Sequence, residues 1–272
     1  MPQALNGNHK RPPYTVRCSV TLIQRIQYNG DDMSEPAIAH DLIKELKVLA
    51  NEHHATPEIQ YFLNTRFTRA RARCWIIHQS SFVRNRRDCW ALAMGHAPLD
   101  VKREIWLHEQ DELIADPRAG GTDHYALMTK EARVLGVTRE EIENTALHPF
   151  VIAALEAWLH LGEKNWLEAF AAAAIIEVIN SDAVVRDGGF SFKVRTKLVA
   201  EAGFPQEQLI ARNVHVEADQ EHATILDRVI GQHVHAEWDR KLVLDSVKKS
   251  LDIHRAYRAG VGFAMQQIPL DA

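Results

Sequence analysis

Residues 213–223 read Asn-Val-His-Val-Glu-Ala-Asp-Gln-Glu-His-Ala, placing His215, Asp219 and His222 at intervals of four and three. An α-helix advances about 100° per residue, so positions four and seven apart return to nearly the same direction. The three side chains therefore share one helix face over two turns. Two imidazoles and a carboxylate on one face suit iron, manganese or zinc. Glu217, Gln220 and Glu221 occupy the other sides, so spacing alone also fits a solvated polar face.

Upstream, Glu177 stands alone in Phe170-Ala-Ala-Ala-Ala-Ile-Ile-Glu177-Val-Ile, where every helical neighbour is apolar. Burying a carboxylate there is costly unless it binds metal or meets a buried cation. A metal and an Arg or Lys from another helix are both compatible with it. Further upstream an acidic helix, Glu104-Ile-Trp-Leu-His108-Glu109-Gln-Asp111-Glu112, precedes a loop, and His124 opens the next helix. Taken singly, such acids and a first-turn histidine also fit a solvated surface.

The rest of the chain reads as helices. Met1 to Met33 is a poorly specified tail, with some strand or helix potential from Val16 to Ile23. Residues 34–272 read as one helical domain, opened by Ser34-Glu35-Pro36 with Pro in the first turn. Thr56-Pro57-Glu58 begins a segment predicted to run to about Gly95, and Leu99 to Ala115 follows. Asp116 to Gly121 is a loop by composition; Thr122 or Asp123 caps a helix to Leu135; Thr138 and Glu141 form a capping box. Pro149 to about Asn180 is predicted helical with a break near Gly162, and Asp187-Gly188-Gly189 is a turn. Further helices are expected over Ser191–Ala202, Pro205–His233 and Ala236–Ala264. No segment alternates at period two for long, so the expected class is all-α, a single helical bundle.

The chain has 272 residues, is 46% hydrophobic and 25% charged, and carries a formal net charge of −4. That balance offers no electrostatic case for nucleic acid or an anionic membrane. The run Arg66, Arg69, Arg71, Arg73, Arg84, Arg86, Arg87 is the one basic concentration; it fits a solvated helix face, or a site for an anionic substrate or partner. Cys18, Cys74 and Cys89 suggest no disulfide framework, and neither a secretory signal nor a membrane-spanning run is evident, so a cytoplasmic location is expected. The tryptophans at 75, 90, 106, 158 and 166 fall in helices and are expected in the core.

The His215/Asp219/His222 triplet, preceded by Glu177 and by an acidic helix and His124, resembles the haem-oxygenase-like di-iron oxidases. That family includes the chlamydial protein associating with death domains, fatty-acid decarboxylases that make terminal alkenes, and N-oxygenases of natural-product pathways. The resemblance spans roughly Ile59 to Leu226. It implies a haem-oxygenase-like bundle with Glu112, His124, Glu177, His215, Asp219 and His222 as ligands to two Fe(II) per chain, Glu177 bridging. Glu109 competes with Glu112, because the loop before His124 is longer than the resemblance leads one to expect. The implied activity is oxidation of a small metabolite with O2, by N-oxygenation of an amine or oxidative C–C cleavage of an amino or fatty acid, in a biosynthetic pathway. An external electron donor and a homodimer are compatible with it. The alternatives are a non-catalytic scaffold and a metal-independent oxidase of the pyrroloquinoline-quinone synthase type. Thiaminase-like relatives use a cysteine nucleophile, for which none of the three cysteines has a matching context.

Overall fold

The computed structural model describes residues 35–271; the segment Val16–Ile23 and Cys18 lie outside them. Helix α1 (Glu35–His54) buries Ile38, Leu42, Leu46 and Ala50, a stripe at helical spacing. Pro57 supplies the preset φ of the first turn of α2 (Pro57–Asn64). The segment predicted to continue to Gly95 breaks at residues 65–68. There Thr68 restarts the chain as the N-cap of α3 (Arg69–His96), its hydroxyl accepting from the Arg71 N–H. Helix α4 (Leu99–Leu113) follows Pro98. A 3₁₀ turn, Pro117–Ala119, then leads to α5 (His124–Val134), which is capped by Asp123.

Helix α6 (Arg139–Asn144) opens on the expected Thr138–Glu141 capping box. The long apolar segment divides into α7 (Pro149–Gly162) and α8 (Trp166–Asn180), because the Asn165 side chain accepts from the Leu167 and Glu168 N–H groups and starts a new helix. Beyond the 187–189 turn come α9 (Phe190–Ala200), a 3₁₀ turn at Gln206–Gln208, α10 (Ile210–His222), α11 (Thr224–His233) and α12 (Glu237–Gln266). The single helix expected over Pro205–His233 is thus three pieces. Among the described residues there is no strand, and no helix is long and apolar enough to cross a membrane.

Helix α8 is the axis of the bundle. Leu167 and every residue from Ala169 to Val178 are buried, and α8 packs against α12, α3, α7, α10, α1 and α11. Ala171 to Ala174 are small, which lets α3 and α12 approach closely. Helix α12 covers it with Val243, Val247, Ser250, His254, Tyr257, Val261 and Met265, spaced by three and four. The polar members of that stripe are satisfied: the Ser250 hydroxyl donates to the Ala172 carbonyl at 2.7 Å and accepts from the Trp158 indole at 3.0 Å. Trp75, Trp90 and Trp158 are core as expected, whereas Trp106 is 53% exposed and outside it. The arginine run is divided too. Arg71, Arg86 and Arg87 turn inward, and Arg71 donates to the Ile268 carbonyl.

Candidate metal centre

Four helices bring the predicted ligand residues to one place. Helix α4 buries Val101, Ile105, His108 and Glu112 along one stripe, so a histidine and a carboxylate continue an apolar face toward the bundle interior. Helix α5 presents His124 in its first turn, α8 presents Glu177, and α10 presents His215, Asp219 and His222. All are buried except His215, which is half-buried. Apart from Asp219, their ligating atoms gather as two triads, His108/Glu177/His222 and Glu112/His124/His215, with the atoms of each triad within 4.8 Å of one another.

Glu112 lies between the triads. It accepts from His124 Nδ1 at 2.9 Å and pairs with Arg87 at 2.8 Å, and His222 Nδ1 stands 3.7 Å away. Glu177, expected as the bridge, sits with His108 at 3.6 Å and His222. Asp219 belongs to neither triad; its carboxylate accepts from the Ser191 hydroxyl at 3.1 Å. Glu109 lies one turn from the centre proper, pairing with Arg87 at 3.0 Å and holding His108 Nδ1 at 2.9 Å.

Three of the four histidines are fixed by groups outside the triads, His108 by Glu109 as above. His215 Nδ1 donates to the Ala211 carbonyl at 2.8 Å, and His124 Nε2 meets Asp116 at 2.6 Å. Asp116 in turn is clamped by Arg118, whose backbone N–H and Nε both reach it. Pinning one imidazole nitrogen on a carboxylate or carbonyl sets the tautomer and leaves the other aimed at a metal. His108 Nε2 and both nitrogens of His222 are buried with no hydrogen-bond partner among the described residues. Orphaned imidazole nitrogens beside carboxylates are costly in a bare protein and are what a metal site requires.

The electrostatics show how tightly the groups are coupled. Burial alone would raise Glu112, but Arg87 and His124 outweigh it and hold the carboxyl well below its usual range. For Glu177 burial is likewise overcome, by His108 and His222, and the carboxyl falls to about 2. Burial would lower His108 and His124, yet Glu109 and Glu177 bring the first to about 9, and Glu112 and Asp116 bring the second to about 9. His215 falls to about 3 through burial and the neighbouring His124 and Arg212. Asp219 is pushed well above its usual value by burial and by Glu177.

Sequence reasoning missed His108, Arg87, Asp116 and Ser191. For His108 a signal existed: it lies four residues before Glu112 on the stripe that Val101 and Ile105 define. Nothing local marks Arg87 or Ser191, because their roles arise only where α3 and α9 meet the other helices.

Residues 64–192 match the TENA/THI-4/PQQC family. That span holds Glu112, His124 and Glu177 and ends before the 215–222 triplet. No curated protein matches the chain significantly in sequence. Two crystal structures of a CADD-like protein of unknown function from Nostoc punctiforme are similar, with TM-scores of 0.62 and 0.60 at 18% and 17% identity. They cover 83% and 85% of this chain and 97% and 98% of that one. A TenA-like thiaminase from Sulfolobus solfataricus is similar at a TM-score of 0.53 and 11% identity, over 85% of this chain and 96% of that one. The chain is therefore an all-α protein of the haem-oxygenase-like helical fold.

Proposed function

We propose that the chain is a non-haem di-iron enzyme that uses O2 to oxidise a small metabolite, by N-oxygenation of an amine or by oxidative C–C cleavage. The observation that carries the reading is the convergence of four imidazoles and two carboxylates in a buried centre where three imidazole nitrogens lack hydrogen-bond partners among the described residues. Mixed nitrogen and oxygen donors of this kind suit Fe(II), which when bound would supply electrons to dioxygen. In this reading Glu112, His124 and His215 would hold one iron, and His108, Glu177 and His222 would hold the other. Glu112, which lies 3.7 Å from His222 Nδ1, would be the carboxylate shared between the two groups, and Asp219 lies in the same cavity wall.

The remaining residues position these. Arg87 spans Glu109 and Glu112 and fixes two successive turns of α4, while Asp116 orients His124 through Nε2. Glu109 does the same for His108 through Nδ1. The apolar run of α8 keeps water from one side of the centre. Anaerobic titration with Fe(II) is expected to saturate at about two irons per chain, with consumption of O2 on subsequent exposure. Saturation at zero, or with zinc alone and no reaction with O2, would overturn the reading.

A further inference from the structure

The cavity beside the candidate centre carries more buried positive charge than the centre uses. Its wall contains Glu112, Glu177, His215 and Asp219, and also Arg86, Arg87, Arg212 and Arg258. Two of these arginines are accounted for: Arg87 pairs with Glu109 and Glu112, and Arg212 with Glu131 at 3.3 Å. Arg86 and Arg258 are each only 3% exposed, and among the described residues neither has a carboxylate within ion-pair distance.

Their hydrogen bonds go to neutral acceptors and leave donors over. Arg86 donates Nη2 to the Ala173 carbonyl at 3.0 Å and lies 5.5 Å from the Trp158 ring, while its Nε and Nη1 have no acceptor. Arg258 donates Nε to His254 at 3.0 Å and Nη1 to Gln79 at 3.1 Å, and Nη2 makes no hydrogen bond among the described residues. The rings of Phe62, Phe82, Phe190 and Tyr257 surround its guanidinium at 4.7 to 5.5 Å. Ring faces offset part of the lost hydration, but they neutralise nothing. An arginine cannot escape burial by losing its proton at physiological pH. The cost of burying such charges is recovered when an anion arrives.

We propose that Arg258 and Arg86 form a recognition site for an anionic group of the substrate, a carboxylate, held so that the rest of the molecule reaches the metal centre. A carboxylate is planar and accepts two parallel N–H bonds from a guanidinium fork, which suits the unused donors of Arg86 and Arg258. Gln79 and His254 orient Arg258, and the aromatic cage fixes its plane. That the substrate's other end reacts at the centre rests on the di-iron reading; the anion site does not.

The test uses the full chain without metal. Melting temperatures are measured with linear monocarboxylates from formate to octanoate, with the matching primary amides, and with inorganic phosphate, against chloride at equal ionic strength. At least one carboxylate is expected to raise the melting temperature while its amide does not. Arg258→Gln and Arg86→Gln should each weaken that binding by about tenfold or more, the loss expected for a hydrogen bond to a charged group. Both variants should melt no lower than wild type without added anion, because each removes an unpaired buried charge. Equal effects of acids and amides, or undiminished binding in both variants, would overturn the proposal. So would a sharp fall in melting of both ligand-free variants, which would make the arginines structural. Stronger stabilisation by phosphate than by any carboxylate would overturn the assignment to a carboxylate. Failed iron binding alongside intact carboxylate binding would remove the di-iron reading alone.

Discussion

Glu112 and Glu109 show how much depends on one helical turn. Both lie on the buried face of α4, and both meet Arg87. Only Glu112 reaches His124, with His222 beyond it, whereas Glu109 backs His108 through the nitrogen that faces away from Glu177. In Glu112→Ala the carboxylate between the triads is gone, and iron stoichiometry is expected to fall below about one per chain. In Glu109→Ala the centre keeps its donors and loses an outer support, so stoichiometry should hold while affinity drops about 10–100-fold. Anaerobic Fe(II) titration of the two variants checks this; the reverse order would show that Glu109 is the ligand. In the sequence only nearness to the loop favours Glu112, since both residues occupy the same helix face and differ in what the facing helices bring. The triplet on α10 was legible because its spacing lies within one helix. Its division between two triads was not, because that depends on helices α4, α5 and α8.

At the scale of elements, the connection from α8 to α9 fixes how Ser191 faces Asp219, and Gly189 fixes the connection. Its N–H donates to the Asp182 carboxylate at 2.7 Å, and a Cβ at this position would lie 1.8 Å from the Asn180 carbonyl oxygen. Gly189→Ala must therefore push the turn away from the end of α8, at a cost of about 2–4 kcal/mol. Gly231 in α11 is exposed, and a Cβ there would meet nothing within 4 Å, so Gly231→Ala should stabilise by about 0.4–1 kcal/mol. Urea unfolding of both variants checks the contrast, and equal effects would mean that the turn yields freely. Asp187-Gly188-Gly189 was readable as a turn from composition, as were the cap at Thr138 and a cap at Thr122 or Asp123, of which Asp123 serves. The separation of α10 from α11 was not. It falls at Ala223, whose φ and ψ of −60° and −24° remain helical and whose neighbours include no Pro or Gly. The break at residues 65–68 was equally hidden, since only Thr68 marks it.

On the scale of the whole molecule, the bundle's response to acid is set where α1, α9 and α12 meet. His53 and His254 share a hydrogen bond at 2.8 Å, Arg258 donates to His254, and Lys193 stands 3.1 Å from His54 Nδ1. Arg255 and Arg86 add further positive charge to the group. The acids nearby, Asp182 and Asp187, bear on Lys193. Burial first, and then these cations and the other histidines, bring His53 and His54 to about 3 and hold His254 well below its usual value. In the unfolded chain each of the three takes a proton at its ordinary 6.5, whereas the folded chain refuses it. Their contribution to stability is therefore whole above pH 6.5 and declines as pH falls from 6.5 toward 3. The slope is about 1.4 kcal/mol per pH unit for each fully titrating histidine. Replacing His54 with Gln removes one of these protons from the unfolded chain while keeping a side chain able to reach the Ile179 carbonyl that His54 now meets at 2.8 Å. His54→Gln should consequently lose stability less steeply than wild type below about pH 6, by about 1.4 kcal/mol per pH unit, whatever its stability at neutral pH. Urea unfolding of the metal-free protein between about pH 6.5 and about pH 4.5 measures both slopes. Parallel curves would mean that His54 already accepts a proton in the folded bundle, and that the cations around it are better screened than their burial implies.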